Sequence, residues 1–300
     1  MSSSLRLVIA TFAIVAAANA CAPAAIQTDP DTPDGAATAS PSDSSEEVSP
    51  TPSPSPTKLP EALAEGANHN NDAVEYAYKA ADVETWSQEE AEDSTAPGKL
   101  VFLTFDDGPN HVVTPQILDS LAEAGVPATF FLIGSNIGDA PEMLERQIAE
   151  GHAIGMHSWS HDYGALYPGR SANPDKIVEE HNRTLEAIQE VVGEEFRTTA
   201  WRYPGGHMSW SDIEAADKAL EDLGTAWVDW NGMTGDAEPS ASRPSTVGEM
   251  VGMASSPIAR ETPVVVILAH DTPDKDLTAQ ALPEIIERYQ DAGYEFGVIS

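Results

Sequence analysis

From residue 100 onward the sequence alternates between short β-rich apolar runs and amphipathic stretches of helical period, and this alternation limits the possible folds more than any other feature. The apolar runs are "LVFLTF" (100–105), "ATFFLI" (128–133), "HAIGM" (152–156), "TTAWR" (198–202), "TAWVDW" (225–230), "VVVILA" (264–269) and "EFGVI" (295–299); each reads as a strand. Between them lie "TPQILDSLAEAG" (114–125), "APEMLERQIAEG" (140–151), "PDKIVEEHNRTLEAIQEVVG" (174–193), "SDIEAADKALEDLG" (211–224) and "LTAQALPEIIERYQDAG" (277–293), which read as helices closed by glycine. Repeated strand–helix–strand connections produce parallel strands, and roughly seven such units favour a β/α barrel over an open sheet. No internal repeat accompanies the alternation. The folded unit is expected over residues 99–300.

The first 98 residues read differently. Residues 1–20 have the pattern of a signal peptide: Arg6, the apolar run "LVIATFAIVAAA" (7–18) and the small-residue site Ala18-Asn19-Ala20. That run is shorter than the roughly 20 apolar residues a spanning helix needs. Cys21 is the single cysteine of the chain and follows directly. This resembles the bacterial lipoprotein box, which implies a lipid anchor at Cys21 and a place on the outer face of the cell membrane; an exported lone cysteine has no disulfide partner. The alternative is ordinary cleavage and secretion into the cell wall. Residues 21–98 are a Pro/Ser/Thr/acidic linker containing "SPTPSPSPT" (49–57), expected to be mostly disordered with possible short helices between 59 and 93. As a flexible chain it would span on the order of 50 Å.

The net charge is −34, from 49 acidic and 15 basic residues. A surface of that sign repels nucleic acid and anionic lipid, so no nucleic-acid partner is expected. It suits a neutral substrate or one that becomes cationic, and a saline habitat would also account for it.

In a β/α barrel the chemistry sits at the carboxyl ends of the strands. Asp106 and Asp107 end the first expected strand, His157 follows the third, Arg202 ends the fourth and His270 ends the sixth. In "HSWSH" (157–161) the two histidines are four apart, close enough on a helical turn to share an ion. That spacing alone is more often a surface coincidence. With a carboxylate at a neighbouring strand end it becomes an Asp-His-His set that leaves a coordination position open for water. Taken alone, Asp106-Asp107-Gly108-Pro109 would be a turn with solvated carboxylates.

Five stretches, "TFDDG" (104–108), "HSWSH" (157–161), "RYPGG" (202–206), "WNGMTGDA" (230–237) and "LAH" (268–270), together resemble the successive motifs of the polysaccharide deacetylases, the NodB-homology group called carbohydrate esterase family 4. The resemblance covers about residues 100–300. It implies a distorted (β/α)7 barrel and metal-dependent removal of N-acetyl groups from GlcNAc or MurNAc polymers, here cell-wall peptidoglycan. Chitin-type oligosaccharides or O-acetylated xylan are alternative substrates, and a catalytically silent glycan-binding surface lipoprotein is the alternative of another class. By the family pattern Asp107, His157 and His161 hold one divalent transition metal, Zn2+ first, with Co2+, Ni2+ or Fe2+ also accommodated by N/O donors. Asp106 is then the general base, Arg202 fixes it, and His270 protonates the leaving amine. Asp236 is the partner of His270, with Asp229 and Asp271 as competitors. Gly205 supplies an oxyanion N–H at a position where many relatives carry an aromatic residue, and Ala237 stands where a tryptophan is frequent. Leu268 packs on the acetyl methyl or belongs to the barrel core. Trp159, Tyr203 and Trp210 stack on sugar rings or cover the barrel mouth, and Tyr203 is taken as substrate-binding. His152, His181 and His207 read as packing or surface histidines. A monomer is expected.

Overall fold

The computed structural model describes residues 63–300. The expected signal peptide, Cys21 and the proline-rich tract lie outside the described residues. In chain order the strands are β1 (Ala77–Tyr78), β2 (Leu100–Asp106), β3 (Thr129–Leu132), β4 (Ala153–Met156), β5 (Ala200–Trp201), β6 (Ala226–Trp227), β7 (Gly232–Met233), β8 (Val264–His270), β9 (Glu295–Phe296) and β10 (Val298–Ile299). The helices are α1 (Ala80–Ser87), α2 (Thr114–Ala124), α3 (Gly134–Ile137), α4 (Pro141–Ala149), α5 (Tyr163–Leu166), α6 (Pro174–Val192), α7 (Glu214–Asp222), α8 (Val247–Ala254), α9 (Ser256–Ala259) and α10 (Asp276–Asp291).

Strand pairing runs β6-β5-β4-β3-β2-β8-β7, every pair parallel, with β9 also on β2 and β10 pairing β1 in a small second sheet. The sheet curls into a distorted barrel whose hydrogen-bond ladder does not close: β6 and β7 are its two ends, and residues 228–231 run across the seam between them. Alternation along each strand divides the core. Val101, Leu103 and Phe105 face the helices together with Val265 and Ile267, whereas Leu100 and Phe102 face inward with Phe131, Val264 and Val266. The inner row of β2 continues through Thr104 to Asp106, and that of β8 through Leu268 to His270. The same parity that fills the barrel with apolar side chains therefore puts carboxylate and imidazole at its mouth.

The folded unit reaches upstream of residue 99, into what composition assigns to the linker. Residues 71–76 form a 3-10 turn capped by Asn70, whose Oδ1 accepts from the Ala73 N–H at 3.0 Å. Helix α1 then lies against both β6 and β8, burying Ala80 and Val83 in the inner apolar cluster, and Tyr78 meets Phe102 edge to face at 5.6 Å. These short elements have weak periodicity of their own and take their order from packing. The "EFGVI" run also differs from one strand: it splits at Gly297 into β9 and β10, which pair with different partners. "TTAWR" and "TAWVDW" form ladders only at Ala200–Trp201 and Ala226–Trp227, because the residues after them turn out to build the site.

Candidate active site

Register brings the chemistry together. Asp106 on β2 stands opposite His270 on β8, and Asp106 also pairs with Phe131 on β3. His157 leaves the end of β4, its N–H donating to the Leu132 carbonyl at 2.9 Å, and Arg202 leaves β5 one step beyond the Met156–Trp201 pair. All lie at the carboxyl ends of parallel strands, around a pocket of about 390 Å3 lined in part by Asp106, Asp107, His157, His161 and His270.

The Asp107, His157 and His161 donor atoms lie within 4.8 Å of one another. Asp107 Oδ1 is 3.6 Å from His157 Nε2 and 3.5 Å from His161 Nε2, and it is buried without a hydrogen-bond partner. His157 Nδ1 sits 2.8 Å from the Arg202 carbonyl, which can only accept, so that nitrogen carries the proton and Nε2 offers a lone pair toward Asp107. Burial pushes the His157 imidazole down to about 3, against the pull of Asp107, which keeps the ring neutral as a ligand must be. An orphaned carboxylate oxygen facing two imidazole nitrogens fits one divalent cation. The backbone supports the cluster at some cost: Asp107, Ser158 and His161 have φ of 77°, 65° and 54°, a left-handed region that non-glycine residues visit at about 1–3 kcal/mol each and that collects at functional sites. Glu180 on α6, 1% exposed, holds the histidine loop by accepting from the Trp159 and Ser160 N–H groups at 3.1 and 3.0 Å and from Ser160 Oγ at 2.7 Å.

Asp106 is 2% exposed and Arg202 fully buried. Arg202 Nη1 donates to Asp106 Oδ1 at 2.9 Å and to Thr104 Oγ1 at 2.6 Å, while its Nε and Nη2 reach the carbonyls of Val228 and Asp229 at 3.0 and 3.2 Å. The fork thus holds one oxygen of Asp106 and leaves Oδ2 facing His157 Nε2 at 3.7 Å. Burial raises the Asp106 carboxyl above its ordinary value, opposed by the charge of Arg202.

Across the pocket, His270 Nδ1 donates to Asp236 Oδ1 at 2.8 Å, leaving Nε2 as the second ring nitrogen. Asp236 Oδ2 accepts from the His270 N–H and from Thr278 Oγ1, at 2.8 and 2.9 Å. Burial alone would lower the His270 imidazole, but the hydrogen bond and charge of Asp236 outweigh it and lift it to about 9. The two competitors for this role are engaged elsewhere. Asp229 accepts from the His207 N–H, and Asp271 accepts from Thr114 Oγ1 at 2.6 Å while packed so tightly on Gly108 that a Cβ there would collide with its carboxylate.

Of the residues expected to touch substrate, Gly205 and Leu268 line the pocket, and the Gly205 N–H meets no acceptor among the described residues. Tyr203 does not line it. It is fully buried, its hydroxyl donating to Asp217 Oδ1 at 2.9 Å, because the turn that presents Gly205 directs the preceding tyrosine inward; the expectation of a sugar contact there is corrected. His207 stacks on Trp227 at 3.8 Å and pairs with Asp217, and His152 and His181 are buried in packing. Trp159 carries the Arg183 guanidinium 3.8 Å over its ring, and Trp210 stacks on Tyr167 at 3.9 Å. Sequence reasoning missed Tyr163, Trp230 and Lys275 in the pocket wall. Tyr163 and Trp230 adjoin or belong to quoted motifs, which was the available signal; Lys275 arrives through the loop after β8 and had none.

Comparisons with known proteins agree with this geometry. Residues 93–224 match the family described as polysaccharide deacetylase. The chain is 30% identical over 205 residues to the peptidoglycan-N-acetylglucosamine deacetylase of Bacillus cereus, covering 66% of this chain and 68% of that one. It is 34% identical over 207 residues to a chitooligosaccharide deacetylase of Sinorhizobium fredii, covering 65% and 87%. The structure of a Streptococcus mutans CE4 esterase superimposes with a TM-score of 0.75 at 49% identity, over 80% of this chain and 99% of the other.

Proposed function

Because the chain belongs to the polysaccharide deacetylase family, we propose that it hydrolyses N-acetyl groups from GlcNAc or MurNAc residues of cell-wall peptidoglycan, releasing acetate and leaving a free amine on the glycan. The observation that carries the reading is the juxtaposition of the Asp107–His157–His161 cluster with two preorganised pairs, Asp106 on Arg202 and His270 on Asp236. Asp107, His157 and His161 would hold one divalent cation, Zn2+ in our reading, which would supply Lewis acidity toward the acetamide carbonyl and would lower the pKa of a water to roughly 7.

The chain's own residues do the rest. Asp106, held by Arg202 at one oxygen, takes the proton of the attacking water through the other. The Gly205 N–H donates to the carbonyl oxygen as it gains charge. Imidazolium His270, with Nδ1 committed to Asp236, gives its Nε2 proton to the departing amine, which leaves poorly as an anion. Leu268 packs against the acetyl methyl. Acetate release from peptidoglycan, chitooligosaccharide and acetylated xylan, measured side by side with the metal-loaded protein, tests the reading. Peptidoglycan should react fastest and gain primary amines, whereas no acetate from any of the three would overturn it.

We also place the protein outside the cell membrane, tethered through a lipid on Cys21. Among the described residues no helix is long and apolar enough to cross a membrane. A Cys21→Ala form that still fractionated with membranes would exclude the anchor.

A further inference from the structure

The barrel's strand ladder is missing between β6 and β7. Residues 228–231 cross that seam without a strand partner on one side, yet two of their carbonyls, those of Val228 and Asp229, hold the Arg202 guanidinium. A segment that fixes a buried arginine has to be fixed itself. The Asp229 N–H donates to Glu84 Oε2 on α1 at 2.9 Å, and the same helix anchors Asn231, whose Nδ2 donates to the Ser87 carbonyl at 2.7 Å. The Asp229 side chain in turn accepts the His207 N–H with both oxygens at 3.0 Å, steadying the turn that carries Gly205. Asp229 therefore links three parts of the site.

We propose that Glu84, upstream of the family match at 93–224, is a positioning residue for deacetylation: it holds Asp229, and through Asp229 sets Arg202 and the free oxygen of Asp106. The inference rests on the deacetylase reading above. Glu84 takes the place of the backbone acceptor that a neighbouring strand would have provided. The Glu84 side chain reaches from α1 to the backbone of the seam, and its carboxylate also interacts with the charge of Arg202. Any surface residue on α1 could cover apolar area; Glu84 alone in that helix accepts from the backbone of the Arg202 cradle.

The test compares Glu84→Ala, Glu84→Gln and, as a control on the same helix, Thr85→Ala in the metal-loaded full chain. Glu84→Ala should lower kcat about tenfold while KM and metal content stay within error; the melting temperature should fall only modestly, because one donor, the Asp229 N–H, loses its acceptor. Glu84→Gln, whose amide oxygen can still accept from Asp229, should recover most of the loss, and Thr85→Ala should match wild type. Hydrogen exchange adds a readout independent of turnover: the Asp229 amide should exchange faster in Glu84→Ala and not in Glu84→Gln. A kcat for Glu84→Ala within about twofold of wild type, an equal loss in both Glu84 variants, or unchanged exchange at Asp229 would overturn the proposal. Should wild type release no acetate, the deacetylase reading falls, and the exchange comparison still decides whether Glu84 holds Asp229.

Discussion

Two carboxylates adjacent in sequence have different environments here, and the backbone is what separates them. Asp106 ends a regular strand and points into the barrel against Arg202, whereas Asp107 has left-handed φ and points its unpartnered oxygen at two histidines. Replacing Asp106 by Asn keeps the shape and leaves Asp107, His157 and His161 in place but removes the proposed proton acceptor. Turnover should fall by about 10²–10⁴-fold with metal content unchanged by elemental analysis. His270 gives a pH prediction whose sign follows from the role proposed for it. The acid form is needed, so activity declines as pH passes the imidazole's pKa, which Asp236 holds up at about 9. Asp236→Asn removes that support and should move the alkaline limb of kcat/KM to lower pH. Much of this constellation was legible because strand-end polar residues with no local partner are conspicuous in an apolar pattern. The partner of His270 is named as Asp236 only through the family pattern; on the residues alone Asp229 and Asp271 stay open, and it is the β7–β8 register that brings Asp236 to His270.

At the level of elements, the long periodic segments were readable and the short ones were not. Helices α2, α4, α6, α7 and α10 carry clear amphipathic stripes, while α3, α5 and α9 are single turns and α8 is about two, and the order of these short pieces comes from what they pack against. Glu180 shows what periodicity conceals. It lies on the long helix α6 and looks like one more charge, but it is buried and takes two backbone N–H groups of the histidine loop. Glu180→Ala leaves those donors unsatisfied, at about 1–3 kcal/mol, and frees the loop that aims His161. Metal affinity should drop roughly 10–100-fold, measured by competition with a chromogenic chelator, while the melting temperature of the metal-free protein falls only modestly. Metal affinity equal to wild type would show that the loop holds its shape without Glu180.

For the molecule as a whole, the fold class follows from the strand–helix alternation, but the start of the folded unit does not. Composition turns apolar at residue 100, and α1 is too short and too weakly patterned to announce itself. A chain beginning at Lys99 would uncover Leu100, Phe102, Val228 and Val264 where α1 and Tyr78 now cover them, and would lose the β1–β10 pair. Calorimetry should find it melting well below the chain that begins at Leu63, or failing to stay soluble. The seam gives that boundary a meaning for inheritance as well. A gene exchange cut at the edge of the family match would deliver a barrel with its flank open and its arginine cradle loose, so recombination that keeps activity has to carry the upstream helix along with the five motifs.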